Sequence, residues 1–270
     1  NKIIFKLKNK ELYHGNYILQ NMGIQSNKFV VIYNRDSLFL KKNFKADFSH
    51  HDFRNSKIEN YLLAAEELTK NNFYGVRAGK NVETELKTQN NKIINYADSK
   101  YQSDFMDVFI HFKCEFVISN GQGIDSLARM FKKPLLTVNY APYAFISTFW
   151  SNNMYIFKKY YNNSSKRFIS LSEIFNIGAA NILDGSNFAK KNISLIENTP
   201  IEIKEAVLEM LEYLYSNKKK LELNEYENKF WNIYYQNIDK YNFRHLHPQN
   251  NDKSAKICKK FLYENKYLLK

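Results

Sequence analysis

The sequence has few of the residues on which several classes of protein depend. It contains two cysteines in 270 residues, Cys114 and Cys258, far apart and in unlike settings. They do not make a disulfide framework, which fits a reducing cytoplasm. No apolar run approaches the roughly 20 residues that span a bilayer, and no segment has the pattern of a signal peptide. We therefore expect a cytoplasmic location, and peripheral contact at the inner face of the membrane is compatible with it.

Motifs for common cofactors are also missing. No GK[ST] follows a glycine loop, so there is no Walker site. The dinucleotide fingerprint GxGxxG is incomplete, since Gly121 and Gly123 are present but Ser126 stands at the third position. No HExxH or CxxC pattern supports a metal centre. We expect no bound cofactor and no metal.

The charge is strongly positive, at +13 from 40 Lys and Arg against 27 Asp and Glu. Such a balance invites a nucleic-acid interpretation. Most of the excess is lysine scattered among Asn, Ile and Tyr, however, and no helix-turn-helix, zinc-finger or RNA-binding signature accompanies it. We expect the charge to assist anionic substrates or an anionic membrane surface, with no specific nucleic acid as a partner.

Strand and helix signals alternate along the first two thirds of the chain. Apolar runs typical of buried strands lie at 29–33, 73–77, 92–96 and 115–119, and a further strand opens at Pro134. Between them lie a capping box of Ser56 and Glu59, a serine N-cap at Ser103 and a helical segment at 124–131. The alternation predicts an α/β, Rossmann-like parallel sheet with helices on both faces.

The last third reads differently. Thr199 and Glu202 form a second capping box with Pro200 at the first helical position. Further helices are predicted at 222–237 and 252–267, which gives a helical C-terminal region. The aromatic-rich connector 140–163 suits a lid or a membrane contact, but packing into the core is the favoured interpretation.

Candidate anion ligands gather at one edge of the predicted sheet, because ligands of parallel sheets lie beyond the carboxyl ends of the strands. The segment that passes from a strand through a glycine turn into a helix offers free N–H groups and the positive end of a helix dipole. An ordinary βαβ turn is the alternative for that segment. With arginines at two strand ends and ahead of a helix, the edge suits a diphosphate. The candidates are Arg35, Arg54, Arg77, Ser119, Gly121, Gln122 and Gly123.

Four ordered segments carry a family resemblance. They are YNRDS (33–37), FRNSKIENYL (53–62), YADS with SDFMDVFIHFKCEFVISNGQG (96–123) and KPLLTVNYAP (133–142). Together they resemble an uncharacterised family of bacterial glycosyltransferases from surface-polysaccharide gene clusters, over roughly residues 20 to 215. The core is also similar to the nucleotide-binding half of fucosyltransferases.

The resemblance implies a GT-B fold, with two Rossmann-like domains and the donor on the C-terminal one. Residues 29–198 would be the nucleotide-sugar-binding domain and 199–270 the helical region. Residues 1–28 would be a linker or remnant of an upstream acceptor-binding domain. Arg35 and the turn at Gly121 would hold the donor phosphates. Tyr33 stands where the family usually has His, and Gln122 where it usually has Ser, so the resemblance does not identify the nucleotide.

The implied reaction moves a sugar from a nucleotide-sugar donor to a cell-surface glycan or lipid-linked acceptor. An inverting enzyme needs a base, and the loop after the first strand offers Asp47, His50, His51 and Asp52. A retaining enzyme needs none. No DxD motif is evident, so we expect metal independence. The alternatives are a nucleotide-sugar epimerase of the same fold, and a non-enzymatic basic protein that binds nucleic acid or acts as a scaffold.

Overall fold

The computed structural model describes residues 6–26, 28–148, 150, 152–216, 224–241 and 255–270. Within these ranges the strands are β1 (Phe29–Ile32), β2 (Tyr74–Arg77), β3 (Ile93–Asn95), β4 (Val117–Ser119), β5 (Leu135–Tyr140), β6 (Asn153–Phe157), β7 (Lys159–Asn162), β8 (Arg167–Phe168), β9 (Ile193–Ile196) and β10 (Lys256–Ile257). The helices are α1 (Asn9–Asn21), α2 (Leu38–Asn43), α3 (Leu62–Lys70), α4 (Asp104–Lys113), α5 (Asp125–Met130), α6 (Leu171–Asn176), α7 (Ser186–Lys190), α8 (Pro200–Tyr215), α9 (Glu225–Ile238) and α10 (Lys259–Glu264).

The central sheet has seven parallel strands in the order β10-β6-β5-β4-β1-β2-β3. Six of them follow the order 3-2-1-4-5-6 that is known from doubly wound α/β sheets, and β10 extends the β6 edge. The strand order reverses between β1 and β4, which pair side by side. The loops that leave the carboxyl ends of β1 and β4 therefore diverge and leave a crevice between them. The α/β prediction is confirmed at this level.

Strand β1 shows why the sheet is covered on both faces. Its residues are all buried, and they alternate between two apolar clusters. Val30 and Ile32 pack with α3 and α8, whereas Phe29 and Val31 pack with α1 and α4. Side chains alternate along a strand with period two, so a strand apolar at every position must be covered on each side. The five strands predicted from apolar runs and from Pro134 are confirmed as β1 to β5.

The two helix starts predicted in the middle of the chain had different outcomes. Ser103 caps α4 as expected, and its hydroxyl accepts the N–H of Met106 at 3.2 Å. The prediction of a capping box at Ser56 was wrong. A 3-10 helix at Ile58–Tyr61 precedes α3, and it has no side-chain cap. The Ser56 hydroxyl instead lies 3.0 Å from the Tyr61 hydroxyl, so a tertiary contact replaces the local one.

The C-terminal third is helical but also completes the sheet. The Thr199 capping box is confirmed at the start of α8, and α9 matches the second predicted helix. The third predicted helix was wrong over part of its length. Lys256–Ile257 forms β10 beside β6, and α10 is confined to Lys259–Glu264. Residues 252–254 of that prediction lie outside the described part.

The aromatic connector packs into the core, as favoured. Tyr143, Tyr155, Phe157 and Tyr160 are all buried. This segment also holds β6 and β7, which were not predicted, and β7 joins β8 and β9 in a small antiparallel sheet. Within the described residues, no helix is both long enough and apolar enough to cross a bilayer.

Candidate functional site

Two neighbouring cavities open at the carboxyl edge of the central sheet. The first, of about 450 Å³, lies where the loops after β1, β2 and β4 meet. We call it the arginine cavity; it is lined by Tyr33, Asn34, Arg35, Asp36, Phe39, Leu40, Arg54, Gly79, Lys80, Val82, Asp107, Gln122, Gly123 and Ile124. The second, of about 510 Å³, we call the Lys158 cavity; it is lined by Asp36, Asp52, Phe53, Asn55, Ser56, Lys57, Glu83, Lys158, Gly185, Phe188, Ala189, Ile193, Leu195 and Glu197.

Arg35 and Arg54 carry the positive charge of the arginine cavity. Arg35 follows β1 and is half-buried, and in the described part of the chain its Nε has no hydrogen-bond partner. Burial, and then the nearby Arg54 cation, lower the pKa of Arg35, while Asp52 and Asp36 act in the opposite direction. Neither arginine forms an ion pair with a described residue. Two cations are thus held close together without a paired carboxylate.

Arg54 is fastened to the glycine turn by both its side chain and its backbone. Its Nη2 donates to the carbonyl of Gly121, and its own carbonyl accepts from Asn120 Nδ2 at 2.9 Å. Asn120 Oδ1 in turn accepts from Gln122 Nε2 at 2.9 Å. The end of the 3-10 helix Ser49–Arg54 is therefore tied to the loop after β4, and the guanidinium is fixed at the rim of the cavity.

The two glycines of the turn have different roles. Gly121 has φ +80°, and an added Cβ would lie 2.9 Å from the Tyr140 ring, so only glycine fits there. Gly123 has open space where a Cβ would stand, and it lines the arginine cavity. Among the described residues, the N–H groups of Gly123 and Ile124 have no acceptor. Both residues line the arginine cavity.

One element of the predicted anion site is already occupied. Asp125 lies in the first turn of α5, and its Oδ2 accepts the N–H of Gln122 at 3.0 Å. Burial raises the pKa of Asp125 to about 6, while the nearby Ser119 hydroxyl and the Gln122 N–H act to lower it. A carboxylate at this helix start offsets part of the positive potential that was predicted to attract a ligand. Anion binding at the turn therefore depends on the arginines and on the N–H groups of Gly123 and Ile124.

Arg77 and Ser119 line neither cavity. Arg77 is 1% exposed, and its Nη1 donates to the carbonyl of Ala78. Its Nε and Nη2 have no partner among the described residues, and burial lowers the pKa of its guanidinium. Ser119 is fully buried at the end of β4. Of the three arginines grouped by the sequence, two meet at the cavity.

The candidate bases are spread over the loop after β1. Asp47 is exposed, and Ser49 donates to it through its N–H at 2.8 Å and its hydroxyl at 3.0 Å; these bonds lower the pKa of Asp47. The His50 and His51 rings lie 4.0 Å apart, and partial burial lowers the pKa of His51. Asp47, His50 and His51 line neither cavity. Asp52 lines the Lys158 cavity and accepts from Asn55 Nδ2 at 2.8 Å.

Sequence reasoning missed two carboxylates of the arginine cavity. Asp36 is, among the described residues, the one that lines both cavities, and its oxygens accept the N–H groups of Leu38 and Glu83, each at 3.1 Å. Its position next to Arg35 at a strand end was an available signal. Asp107 accepts from the Tyr96 hydroxyl at 2.8 Å, and burial raises its pKa.

Lys158, also missed, is the buried cation of the second cavity. It lies between β6 and β7, is 4% exposed, and donates from Nζ to the carbonyl of Asn55. Burial lowers the pKa of Lys158 to about 8, with Glu197 opposing the shift. No sequence signal pointed to it, because β6 was not predicted.

No His, Cys, Asp and Glu side chains of the described residues form a group of three or more that could hold a metal ion. Metal independence stays a prediction. Scans against protein-family models and against curated proteins find no match to this chain.

Proposed function

We propose that the protein is a glycosyltransferase that moves a sugar from a nucleotide-sugar to a cell-surface glycan or lipid-linked acceptor. In this proposal the doubly wound sheet is the donor-binding half of a GT-B enzyme. The reaction uses no metal, and the donor is a co-substrate rather than a resident cofactor. A cytoplasmic location, at or near the inner face of the membrane, belongs to the same proposal.

The observation that carries the proposal is the pair of arginines at the strand-order reversal. Arg35 lies near Arg54, and neither forms an ion pair with a described residue. Among the described residues, the N–H groups of Gly123 and Ile124 in the adjacent turn have no acceptor. Guanidinium groups bind phosphate oxygens through paired hydrogen bonds, and like charges held close together are stabilised by an anion between them. A diphosphate has the negative charge that the two arginines lack as a partner. It also has enough oxygen atoms to accept hydrogen bonds from the guanidinium groups and from the N–H groups of the turn.

The rest of the arginine cavity suits a nucleoside. Its volume of about 450 Å³ falls within the range of roughly 300 to 1,000 Å³ typical of small-molecule sites. Phe39, Leu40 and Val82 provide an apolar wall for a base, and the Asp107 carboxylate can accept hydrogen bonds from ribose hydroxyls. We assign Phe39, Leu40 and Val82 to the base and Asp107 to the ribose.

Catalysis in an inverting reaction follows from the same residues. The acceptor hydroxyl attacks the anomeric carbon and passes its proton to a carboxylate. The bond from that carbon to the diphosphate breaks, and the charge of the leaving diphosphate develops between Arg35 and Arg54. We assign the base to Asp36, because it lines the donor cavity and the neighbouring one.

An incubation without acceptor tests the activity. The intact chain is mixed with UDP-sugars and GDP-sugars, and products are separated by chromatography with mass detection. Slow hydrolysis that releases free sugar and nucleoside diphosphate supports the proposal, provided that Arg35→Gln abolishes it. An intact donor with an epimerised sugar would support the epimerase instead. Inert donors, together with nucleic-acid binding that has a steep salt slope, would favour the non-enzymatic alternative.

A further inference from the structure

The Lys158 cavity is a second built site at the same edge of the sheet. It meets the arginine cavity at Asp36. One wall is apolar and comes from Phe53, Phe188, Ile193 and Leu195, with the two phenylalanine rings 5.2 Å apart. Charged side chains also line the cavity. A cavity lined by both apolar and charged side chains fits a ligand that has both kinds of surface, as a sugar ring does.

The charges that line this cavity exclude a polyanion. The lining includes four carboxylates, from Asp36, Asp52, Glu83 and Glu197, and two amines, from Lys57 and Lys158. A second nucleotide or a nucleic-acid backbone would meet more negative than positive charge there. A ligand rich in hydroxyl groups can donate to the carboxylates and accept from the amines, with no charge of its own.

Lys158 has hydrogen-bonding capacity that the described residues do not use. Its ammonium has three N–H groups, and among the described residues the Asn55 carbonyl is its hydrogen-bond partner. The remaining groups lie at the wall of a cavity, where a ligand oxygen can accept from them. Burial of this amine lowers its pKa to about 8, which shows how little solvent stabilises its charge.

We propose that the Lys158 cavity is the acceptor subsite, and that it takes an uncharged or N-acylated sugar ring. The apolar face of the ring packs on Phe53 and Phe188, and Lys158 donates to a ring hydroxyl. The hydroxyl to be glycosylated points toward Asp36. This inference rests on the proposed function, and it adds that the nucleotide-binding domain itself contacts the acceptor.

The transfer step balances on these groups. The acceptor oxygen forms a bond to the anomeric carbon of the donor, and its proton passes to the Asp36 carboxylate. The bond from the anomeric carbon to the diphosphate oxygen breaks, and its electron pair leaves with the diphosphate. Because Asp36 lines both cavities, donor and acceptor would meet at that residue.

The test uses the intact chain and defined probes. Saturation-transfer NMR measures binding of the methyl glycosides of glucose, galactose, N-acetylglucosamine and glucuronic acid, and calorimetry measures binding of UDP and GDP. Two variants alter the cavity: Lys158→Met removes the ammonium, and Ala189→Trp fills the space from the exposed side. Lys190→Gln, next to Ala189 and outside the cavity lining, is the control.

We expect at least one neutral glycoside to bind, and the acidic glucuronide to bind more weakly. Each cavity variant should weaken glycoside binding about tenfold or more while nucleotide affinity stays within about twofold. The control should change neither. If one variant fails to fold, glycoside binding by the other still tests the proposal, because Lys158→Met removes a charge and Ala189→Trp fills space.

The possible failures are distinguishable. Nucleotide binding without glycoside binding, or glycoside binding equal in wild type and both variants, would overturn the acceptor subsite and leave the proposed function standing. Failure of every nucleotide to bind would overturn the proposed function, and the acceptor assignment with it, even if a glycoside still occupied the cavity.

Discussion

The guanidinium of Arg54 donates a hydrogen bond to the carbonyl of Gly121, a residue 67 positions away in the sequence. The bond couples the cation to the conformation of the turn after β4. Gly121 has a positive φ, a backbone conformation that glycine adopts without steric cost. The geometry of the turn and the position of the arginine are therefore parts of one arrangement.

We predict that alanine substitutions at the two glycines of the turn change stability to different extents. Gly121→Ala would place a Cβ 2.9 Å from the Tyr140 ring at a positive φ, and we expect it to lower the free energy of unfolding by about 1 to 3 kcal/mol. In Gly123→Ala the added Cβ meets no atom of the described residues within 4 Å, and φ at this position is not in the positive range, so stability should stay within about 0.5 kcal/mol. Urea unfolding measures both.

Gly123→Ala is the matched control for Gly121→Ala, since the chemical change is the same two residues away. Equal destabilisation by the two substitutions would contradict the different roles assigned to the glycines.

Asp125→Asn should stabilise the protein at neutral pH. Burial raises the pKa of Asp125 from 3.8 to about 6, so ionising this carboxyl group costs more free energy in the native state than in the unfolded chain. The folded chain holds a proton between pH 3.8 and 6 that the unfolded chain releases, and wild-type stability falls as the pH rises through that window. The variant should gain roughly 1 to 3 kcal/mol above pH 6, and this gain should vanish toward pH 3.8.

Unfolding at a series of pH values, with the exposed Asp239→Asn as control, measures the Asp125 effect. A gain that does not depend on pH would argue against a buried, ionising Asp125.

Lys158→Met should change how stability depends on alkaline pH. Burial lowers the pKa of Lys158 from 10.5 to about 8. Between these values the unfolded chain holds a proton that the folded chain lacks, so this amine makes wild-type stability rise with pH across the window. The wild type should therefore gain about 2 to 3 kcal/mol relative to the variant from pH 8 to pH 10.5.

The Lys158 prediction is read as a difference of unfolding free energies, because other lysines and tyrosines titrate in both proteins. Lys190→Gln should run parallel to wild type. A difference between wild type and Lys158→Met that is constant across the window would contradict the buried, cavity-lining position of the amine.

Arg77 and Lys159 are two buried cations with different partners, and they should respond differently to replacement by methionine. Lys159 is paired with Glu202 at 2.8 Å, so Lys159→Met leaves a buried carboxylate unpaired and should cost about 3 to 5 kcal/mol. Arg77 has two nitrogens without a partner in the described residues, so Arg77→Met should cost less than about 1 kcal/mol or stabilise.

Measuring nucleotide affinity distinguishes a structural role of Arg77 from a role in phosphate binding. Because its side chain does not line the arginine cavity, Arg77→Met should leave UDP and GDP affinity unchanged. A large loss of affinity in a folded Arg77→Met variant would restore Arg77 to the set of phosphate ligands.

The sheet could be predicted from sequence because its signals are local. Four strands appeared as apolar runs and a fifth was marked by Pro134, and the caps at Ser103 and Thr199 satisfy backbone groups within three residues. What failed depended on distant contacts. Ser56 has the sequence of a cap, but its hydroxyl faces Tyr61 and Asn120. The two-residue strand β10 is defined by its pairing with β6, which no local pattern encodes.

The site was predictable to the extent that strand ends identify the edge of the sheet. That rule correctly brought Arg35 and the glycine turn together, and Arg54 was placed there by the loop ahead of α3. The rule does not distinguish side chains that line the cavity from those that do not, which is why Arg77 was grouped with the cavity arginines. Lys158 was missed because β6, the strand before it, was not predicted. This strand lies in the connector 140–163, whose apolar and aromatic pattern is compatible with several kinds of structure.

Calorimetric titration of the intact chain with UDP, GDP, UMP and GMP tests the diphosphate site most directly. We predict that at least one diphosphate binds about tenfold or more tightly than its monophosphate, and that Arg35→Gln and Arg54→Gln each weaken its binding about ten- to a hundredfold. Arg167→Gln, which removes an exposed arginine paired with Glu173, should have no effect. Failure of every nucleotide to bind, or equal affinity for diphosphate and monophosphate, would contradict the account.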